Sequence, residues 1–161
     1  MIKPTPERKL LLISRDDIYA ADTRLGKRVY RLLGWFSRHG YHLLATAPQA
    51  DRWLPDSKAV DSALIGPDSI RDQINDAGGN LDGVYYVRKS LLTQRRNREE
   101  ALTDILERYA LKADHCYLLS GSGKFVQAAL GLGIRSTHLT RDTTLEGVLK
   151  SMKNEASSKS P

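Results

Sequence analysis

Four short segments carry polar residues whose types could bind or transform an anion. Residues 14–17 (SRDD) follow an apolar run, Thr46 ends another, residues 88–98 are rich in arginine and lysine, and residues 120–124 read SGSGK. Arginine binds phosphoryl oxygens, and a glycine-rich turn at a helix N-terminus presents amides to an anion. A phosphorylated small molecule, a nucleic-acid backbone or an acidic protein surface would each fit the basic residues within 88–98.

Each segment also has an ordinary structural explanation. Ser14 fits a small polar residue at a strand end, and Asp16 fits a turn residue that caps backbone amides. The basic run fits a solvated loop. The SGSGK segment lacks the four-residue spacer and the final Ser or Thr of a P-loop. Nucleic acid is the weakest partner because no aromatic residue interleaves the arginines to stack on bases.

The apolar pattern alternates between strand and helix, which predicts an α/β fold. Strands are expected near residues 9–14, 41–46, 82–87, 115–119 and 134–139. Such alternation is typical of a three-layer, doubly wound parallel sheet with right-handed crossovers. Ligands bind these sheets at the carboxyl ends of the strands. The four polar segments are therefore expected along one edge of the sheet.

Helical spacing and capping residues place the helices between these strands. Residues 29–36 carry one apolar helical face, which Gly40 is expected to end. Asp68 is expected to cap a short helix. Asn97 and Glu100 are expected to open the helix after the third strand, which leaves the basic run before them as a loop.

Composition narrows the class of protein. The 161 residues are 40% hydrophobic and 27% charged, with a net charge of +6 and one cysteine. These values predict one globular domain over residues 1–154, with a disordered tail at 155–161. The single cysteine excludes an intramolecular disulfide, and no apolar run approaches the length of a membrane helix. The polar N-terminus does not read as a secretory signal, so a cytoplasmic location and no membrane partner are expected.

The four segments resemble, in order, the four motifs of the haloacid-dehalogenase-type (HAD) phosphatases. LISRDDIYAAD is similar to the first motif and LLATAPQ to the second. AGGNLDGVYYV resembles the stretch before the third motif, and ALTDILERYALKADHCYLLSGSGKFVQAALGLGIRS resembles the region of the fourth. The similarity is greatest to the heptose bisphosphate and histidinol-phosphate phosphatases. It covers about residues 9–140 and implies the HAD-like, Rossmannoid fold.

The resemblance also implies a chemistry. In that family an aspartate attacks phosphorus, and a second aspartate two residues later protonates the leaving group. The nucleophile position is Ser14 here, the acid/base position is the retained Asp16, and Asp17 replaces a usual glycine. Because a serine hydroxyl is not ionised, the nucleophile is expected to be lost.

The same resemblance implies the phosphate-binding residues. Thr46 falls on the phosphate-binding threonine. The lysine of the third motif aligns best with Arg96, and with Arg98 or Arg95 if the alignment shifts. Ser120 and Lys124 belong to the turn whose amides and charge would favour an anion.

Metal ligands of the family are missing. The Gly-Asp of the fourth motif becomes Ser120-Gly121, and a later aspartate becomes Phe125. No cofactor is therefore expected, although the family uses Mg²⁺, and the subgroup's Cys and His zinc ligands are also missing from 88–98.

These losses predict a catalytically degenerate phosphatase-like protein that binds a phosphorylated ligand or a partner. Two alternatives stay open. One is an active phosphomonoester hydrolase in which Asp16 works with a water molecule. The other is a basic nucleic-acid-binding or assembly module.

Overall fold

The computed structural model describes residues 8–25, 27–48, 69–87 and 94–158. These residues form an α/β fold in which one sheet lies between two layers of helices. The elements, in chain order, are β1 (Lys9–Ser14), α1 (Arg15–Leu25), α2 (Arg28–Arg38), β2 (Tyr41–Pro48), α3 (Ile70–Asp76), β3 (Gly83–Val87), α4 (Gln94–Tyr109), β4 (Cys116–Ser120), α5 (Gly123–Gly131), β5 (Arg135–His138) and α6 (Leu145–Ser158).

The sheet has five parallel strands in the order β3-β2-β1-β4-β5. The expected fold class and the positions of the five strands are therefore confirmed. Ser14 pairs in register with Thr46 of β2, and Ser120 pairs with His138 of β5. Because all strands run the same way, their carboxyl ends meet along one edge, which brings polar residues from distant parts of the chain together.

Both faces of the sheet are buried, which explains the continuous apolar run in β1. Leu11 and Ile13 pack with residues of α2, α3 and α6, whereas Leu10 and Leu12 pack with residues of α4 and α5. Parallel sheets covered on both faces read as unbroken apolar strands for this reason. Burial of each such side chain stabilises the fold by roughly 1.5–3 kcal/mol.

The helices differ from the expected ones at their ends. Helix α4 begins at Gln94, so Asn97 lies inside the helix and the end of the basic run is helical. Ser69, not Asp68, caps α3, because its Oγ accepts a hydrogen bond from the amide of Asp72 at 3.1 Å. Residues 88–93 and Asp68 itself lie outside the described residues.

Helix α1 is an element that the apolar pattern did not predict. It follows Ser14 without a loop, and of its side chains Ile18 is the fully buried one among those described. With so few buried positions, its sequence shows little helical periodicity. Asp16 and Asp17 lie in its first turn, where the helix dipole stabilises acidic side chains.

The last helix continues past Asn154 to Ser158, into the tail expected at 155–161. Among the described residues, no helix combines the length and the apolar character needed to cross a membrane.

Candidate functional site

The neighbouring strands β1 and β4 each end in a serine, and the two serine side chains contact each other. The Oγ atoms of Ser14 and Ser120 lie 2.8 Å apart, and Ser120 is 1% exposed. The amide of Ser122 also donates to Ser120 Oγ, at 3.1 Å. The hydrogen-bond partner of Ser14 Oγ is thus a second neutral hydroxyl and not a base. A hydroxyl in this setting keeps its proton and is a poor nucleophile.

The two aspartates after β1 have different surroundings. The side chain of Asp16 is 71% exposed and lies 3.6 Å from the Arg15 guanidinium. Asp17 reaches the turn after β4, where its Oδ2 accepts a hydrogen bond of 2.8 Å from the amide of Gly121. The carboxylate that contacts this turn is therefore Asp17, which the sequence places in the polar segment 14–17 but to which it assigns no role.

We call Ser14, Asp17, Ser120, Gly121 and Ser122 the serine turn. Thr46 is buried in β2 beside Ser14 in the sheet register. His138, which sequence reasoning also missed, donates from Nε2 to the Gly121 carbonyl at 3.1 Å. Because a carbonyl only accepts, this bond sets the imidazole tautomer with a proton on Nε2. The polar groups of the serine turn are thus largely bonded to one another.

The two candidate arginines of α4 differ in how they are engaged. Arg96 is 79% exposed and donates from Nε to Glu100 at 3.1 Å, one helical turn away. Arg98 is partly buried, and its Nε is buried without a hydrogen-bond partner among the residues that the structure describes. A buried guanidinium nitrogen without a partner is energetically costly, which favours an external acceptor.

Arg98 lies beside an open cavity of about 450 Å³ between α4 and α5. We call this cavity the α4–α5 groove. Its walls bring together two cations, one acid, an amide side chain and small residues of α5, namely Arg98, Lys124, Glu99, Gln127, Gly123, Ala128 and Gly131. The structure thus brings Arg98 and Lys124 to one cavity, which Arg96 does not line.

Helix α4 is held against the sheet by a polar contact on its other side. The Tyr85 hydroxyl of β3 donates to Asp104, which also accepts from Arg108. The hydrogen bond from Tyr85, and then that from Arg108, lowers the pKa of Asp104 below its ordinary value. The negative charge of Asp104 therefore contributes to the position of the helix that carries Arg98.

The lone thiol does not contribute a nucleophile to this site. Cys116 is fully buried at the start of β4, and burial raises its pKa to about 12. It therefore stays protonated and packs as a small apolar residue.

The residues of the serine turn do not fit the Mg²⁺ that the family resemblance implies. Mg²⁺ prefers hard anionic oxygen ligands. Ser14 and Ser120 offer neutral hydroxyls bonded to each other, Gly121 has no side chain, and Asp17 is engaged by an amide. Within residues 8–25, 27–48, 69–87 and 94–158, no group of three or more His, Cys, Asp or Glu side chains could hold a metal ion.

Known proteins resemble this chain in structure and not in sequence. No protein-family model matches the chain. No curated protein matches it in sequence.

Two solved structures cover nearly the whole chain. One is D,D-heptose 1,7-bisphosphate phosphatase from B. bronchiseptica, complexed with magnesium and phosphate, which is 15% identical with a TM-score of 0.63 over 91% of this chain and 99% of that one. The other is an uncharacterized protein from Corynebacterium glutamicum, 15% identical with a TM-score of 0.58 over 90% of this chain and 93% of that one. The first belongs to the subgroup that the four sequence motifs resemble, so sequence pattern and structure agree: the chain has the fold of the haloacid-dehalogenase-type phosphatases.

Proposed function

We propose that this protein is a catalytically degenerate member of the phosphatase fold, which binds a phosphorylated small molecule without hydrolysing it. The observation that carries the proposal is the hydrogen bond between Ser14 and Ser120, 2.8 Å between the two hydroxyl oxygens. By resemblance, the first of these positions supplies the nucleophilic carboxylate. Here it supplies a neutral hydroxyl bonded to another.

The magnitude of the loss supports binding over turnover. Removing a covalent nucleophile typically costs several powers of ten in rate. A catalytic metal supplies several kcal/mol of charge stabilisation, and the donor set of the serine turn does not suit Mg²⁺. Two independent losses from one mechanism are explained more simply by abandoned catalysis than by a variant of it.

Binding of a phosphoryl group is supported by the α4–α5 groove. Arg98 and Lys124 supply two positive charges there, and Gln127 supplies a neutral donor. The buried Arg98 Nε, to which the described part of the chain offers no acceptor, would gain one from a phosphoryl oxygen. The proposal therefore assigns the phosphoryl group to Arg98 and Lys124 and not to Ser120, whose hydroxyl is already bonded.

The test measures binding and turnover on the same compounds. A sugar phosphate and an aryl phosphate are titrated by calorimetry and assayed for phosphate release, with and without Mg²⁺. We expect saturable binding with hydrolysis at background. Saturable hydrolysis that Asp16→Asn abolishes in a folded protein would instead identify an enzyme that uses a water nucleophile.

A second variant distinguishes the loss of the nucleophile from the loss of metal binding. Ser14→Asp restores a carboxylate at the nucleophile position but leaves Gly121 without one. We expect its turnover to stay at background in Mg²⁺. Full turnover by Ser14→Asp would show that the site lacks only its nucleophile, and would contradict the loss of metal binding.

A further inference from the structure

Asp17 occupies the space into which a side chain at position 121 would project. Its Oδ2 accepts the Gly121 amide hydrogen at 2.8 Å. A Cβ placed on Gly121 would lie 2.7 Å from Asp17 Oδ1, a separation that real Cβ atoms essentially never show. Any larger residue at 121 therefore requires the Asp17 carboxylate to shift from the position in which it accepts this hydrogen bond.

The sheet explains why residues so far apart in sequence meet. Strands β1 and β4 are neighbours, and α1 begins directly after β1. The third residue of α1 thus faces the turn that follows β4. Both positions depart from the resembled motifs in a complementary way, since Asp17 stands for a usual glycine and Gly121 stands for a usual aspartate.

The other polar groups of Gly121 and Ser122 also form hydrogen bonds. The Gly121 carbonyl accepts from His138, Ser122 N–H donates to Ser120, and Ser122 Oγ accepts from the Phe125 amide. The Gly121 amide donates a hydrogen bond to α1, where the Asp17 carboxylate accepts it. A charged acceptor makes a stronger hydrogen bond to an amide than a neutral one does.

We infer that Asp17 and Gly121 form a coupled pair, in which the Asp17 carboxylate takes over both the space and the amide of position 121. The pair holds the turn between β4 and α5 in one conformation. It also prevents a second carboxylate, or a small anion such as inorganic phosphate, from binding at this turn. The coupling between Asp17 and Gly121 does not depend on the proposed function. Only the exclusion of anions from the turn is related to that function. A phosphoryl group would then find its amide partner at Gly121 already taken and meet a like charge.

A double-mutant cycle tests the coupling. Asp17→Ala, Gly121→Ala and the double variant are unfolded in urea and their midpoints compared with the wild type. We expect Gly121→Ala to lower the midpoint when Asp17 is present, and to leave it unchanged or raise it when Asp17 is alanine. Additive effects of the two changes would overturn the inference.

Asp16 provides a matched control. It is also acidic and lies in the same first turn of α1, but its side chain faces solvent and Arg15. Asp16→Ala should combine additively with Gly121→Ala. A coupling as large as that of Asp17 would show that the effect comes from charge near the helix end and not from the contact.

Inorganic phosphate tests the closure of the turn, with the Gly121 amide as an NMR reporter. Asp17→Asn keeps an acceptor oxygen without the charge, and Asp17→Ala removes both. We expect phosphate to shift the Gly121 amide resonance of Asp17→Ala at about tenfold lower concentration than in the wild type, with Asp17→Asn between them. Equal responses in all three proteins would overturn the closure. Failure of the wild type to bind any phosphate ester, with coupling intact, would instead remove only the proposed function.

Discussion

The serine turn lies at the carboxyl ends of β1 and β4, whereas the α4–α5 groove runs along α5 from Gly123 to Gly131, and the two regions differ in how their polar groups are used. In the serine turn, hydroxyls, amide and carboxylate bond to each other, as in the contacts of Ser120 and Asp17. In the groove, two cations line one cavity, and Arg98 Nε finds no acceptor in the described structure. The polar groups of the first region bond to one another, whereas the second region leaves a buried guanidinium nitrogen without a partner among the described residues.

This difference separates two requirements that an active phosphatase must meet in one place. Bond breaking needs an ionised nucleophile that is held ready. Binding needs only complementary charge and donors. Ser14 offers a neutral hydroxyl where the first requirement needs an ionised group, whereas Arg98 and Lys124 offer the charges that the second requirement needs. The proposed function rests on this separation of binding from bond breaking.

The largest expected effect is on ligand affinity. Arg98→Ala should weaken binding of a phosphate ester at least tenfold, because hydrogen bonds to charged groups contribute about 1.5–3 kcal/mol. Calorimetric titration measures the change. Arg96→Ala, which removes the same charge from the Glu100 pair on the exposed face of α4, should change affinity less than about twofold. The reverse ranking would place the ligand outside the groove.

A smaller effect is expected on the free energy of unfolding. Ser120→Ala removes the acceptor of the Ser122 amide and the partner of Ser14, and should cost about 1 kcal/mol in urea unfolding. Ser14→Ala leaves the bond between Ser120 and Ser122 in place and should cost less. Neither change should alter affinity for a phosphate ester. A tenfold loss of affinity in Ser120→Ala would show that the serine turn holds the ligand.

The smallest expected effect is a pH dependence at the contact between β3 and α4. The pKa of Asp104 is lowered from the ordinary 3.8, first by the Tyr85 hydroxyl and then by Arg108. A lowered folded pKa gives stability that is present above the unfolded pKa of 3.8 and lost as pH falls through the folded one. Thermal unfolding below pH 4 should therefore decline less steeply in Asp104→Asn than in the wild type.

Tyr85→Phe serves as the control for that measurement. It removes the larger cause of the shift but keeps the carboxylate, so its acid profile should approach that of Asp104→Asn. An acid profile identical to the wild type would show that Tyr85 does not hold Asp104 in the charged form.

The centre of the sheet could be predicted from the sequence because β1 and β4 contain short apolar runs, whereas the edge strand β5 reads RSTH. Such a run needs burial on both faces wherever it lies, so the pattern of Leu10 to Ile13 determines β1 without knowledge of its neighbours. The positions of Ser14 and Ser120 at strand ends follow from the same local rule, whereas Thr46 lies two residues before the end of β2 at Pro48. Helix α1 escaped prediction because Ile18 is the one buried side chain among residues 15–21, the part of α1 whose side chains the structure describes.

Which of the candidate arginines lines the α4–α5 groove depended on the tertiary structure. Arg96 and Arg98 are two residues apart, and in a helix this spacing points them to different faces. Because α4 begins at Gln94, before the expected position, both residues are helical and their faces are set by how α4 packs on the sheet and on α5. The alignment with the third motif left this choice open.

By itself the sequence determined where most strands lie, since each apolar run depends on residues within one segment, and the alternation of strands with helices along the chain determined the fold class. Only the tertiary structure decided which partners these residues have. Asp17 and Gly121 are separated by 104 positions and meet because β1 and β4 are adjacent in the sheet. Hydrogen bonds act over about 3 Å, so a contact between distant segments exists only once the strand order has brought their backbones together.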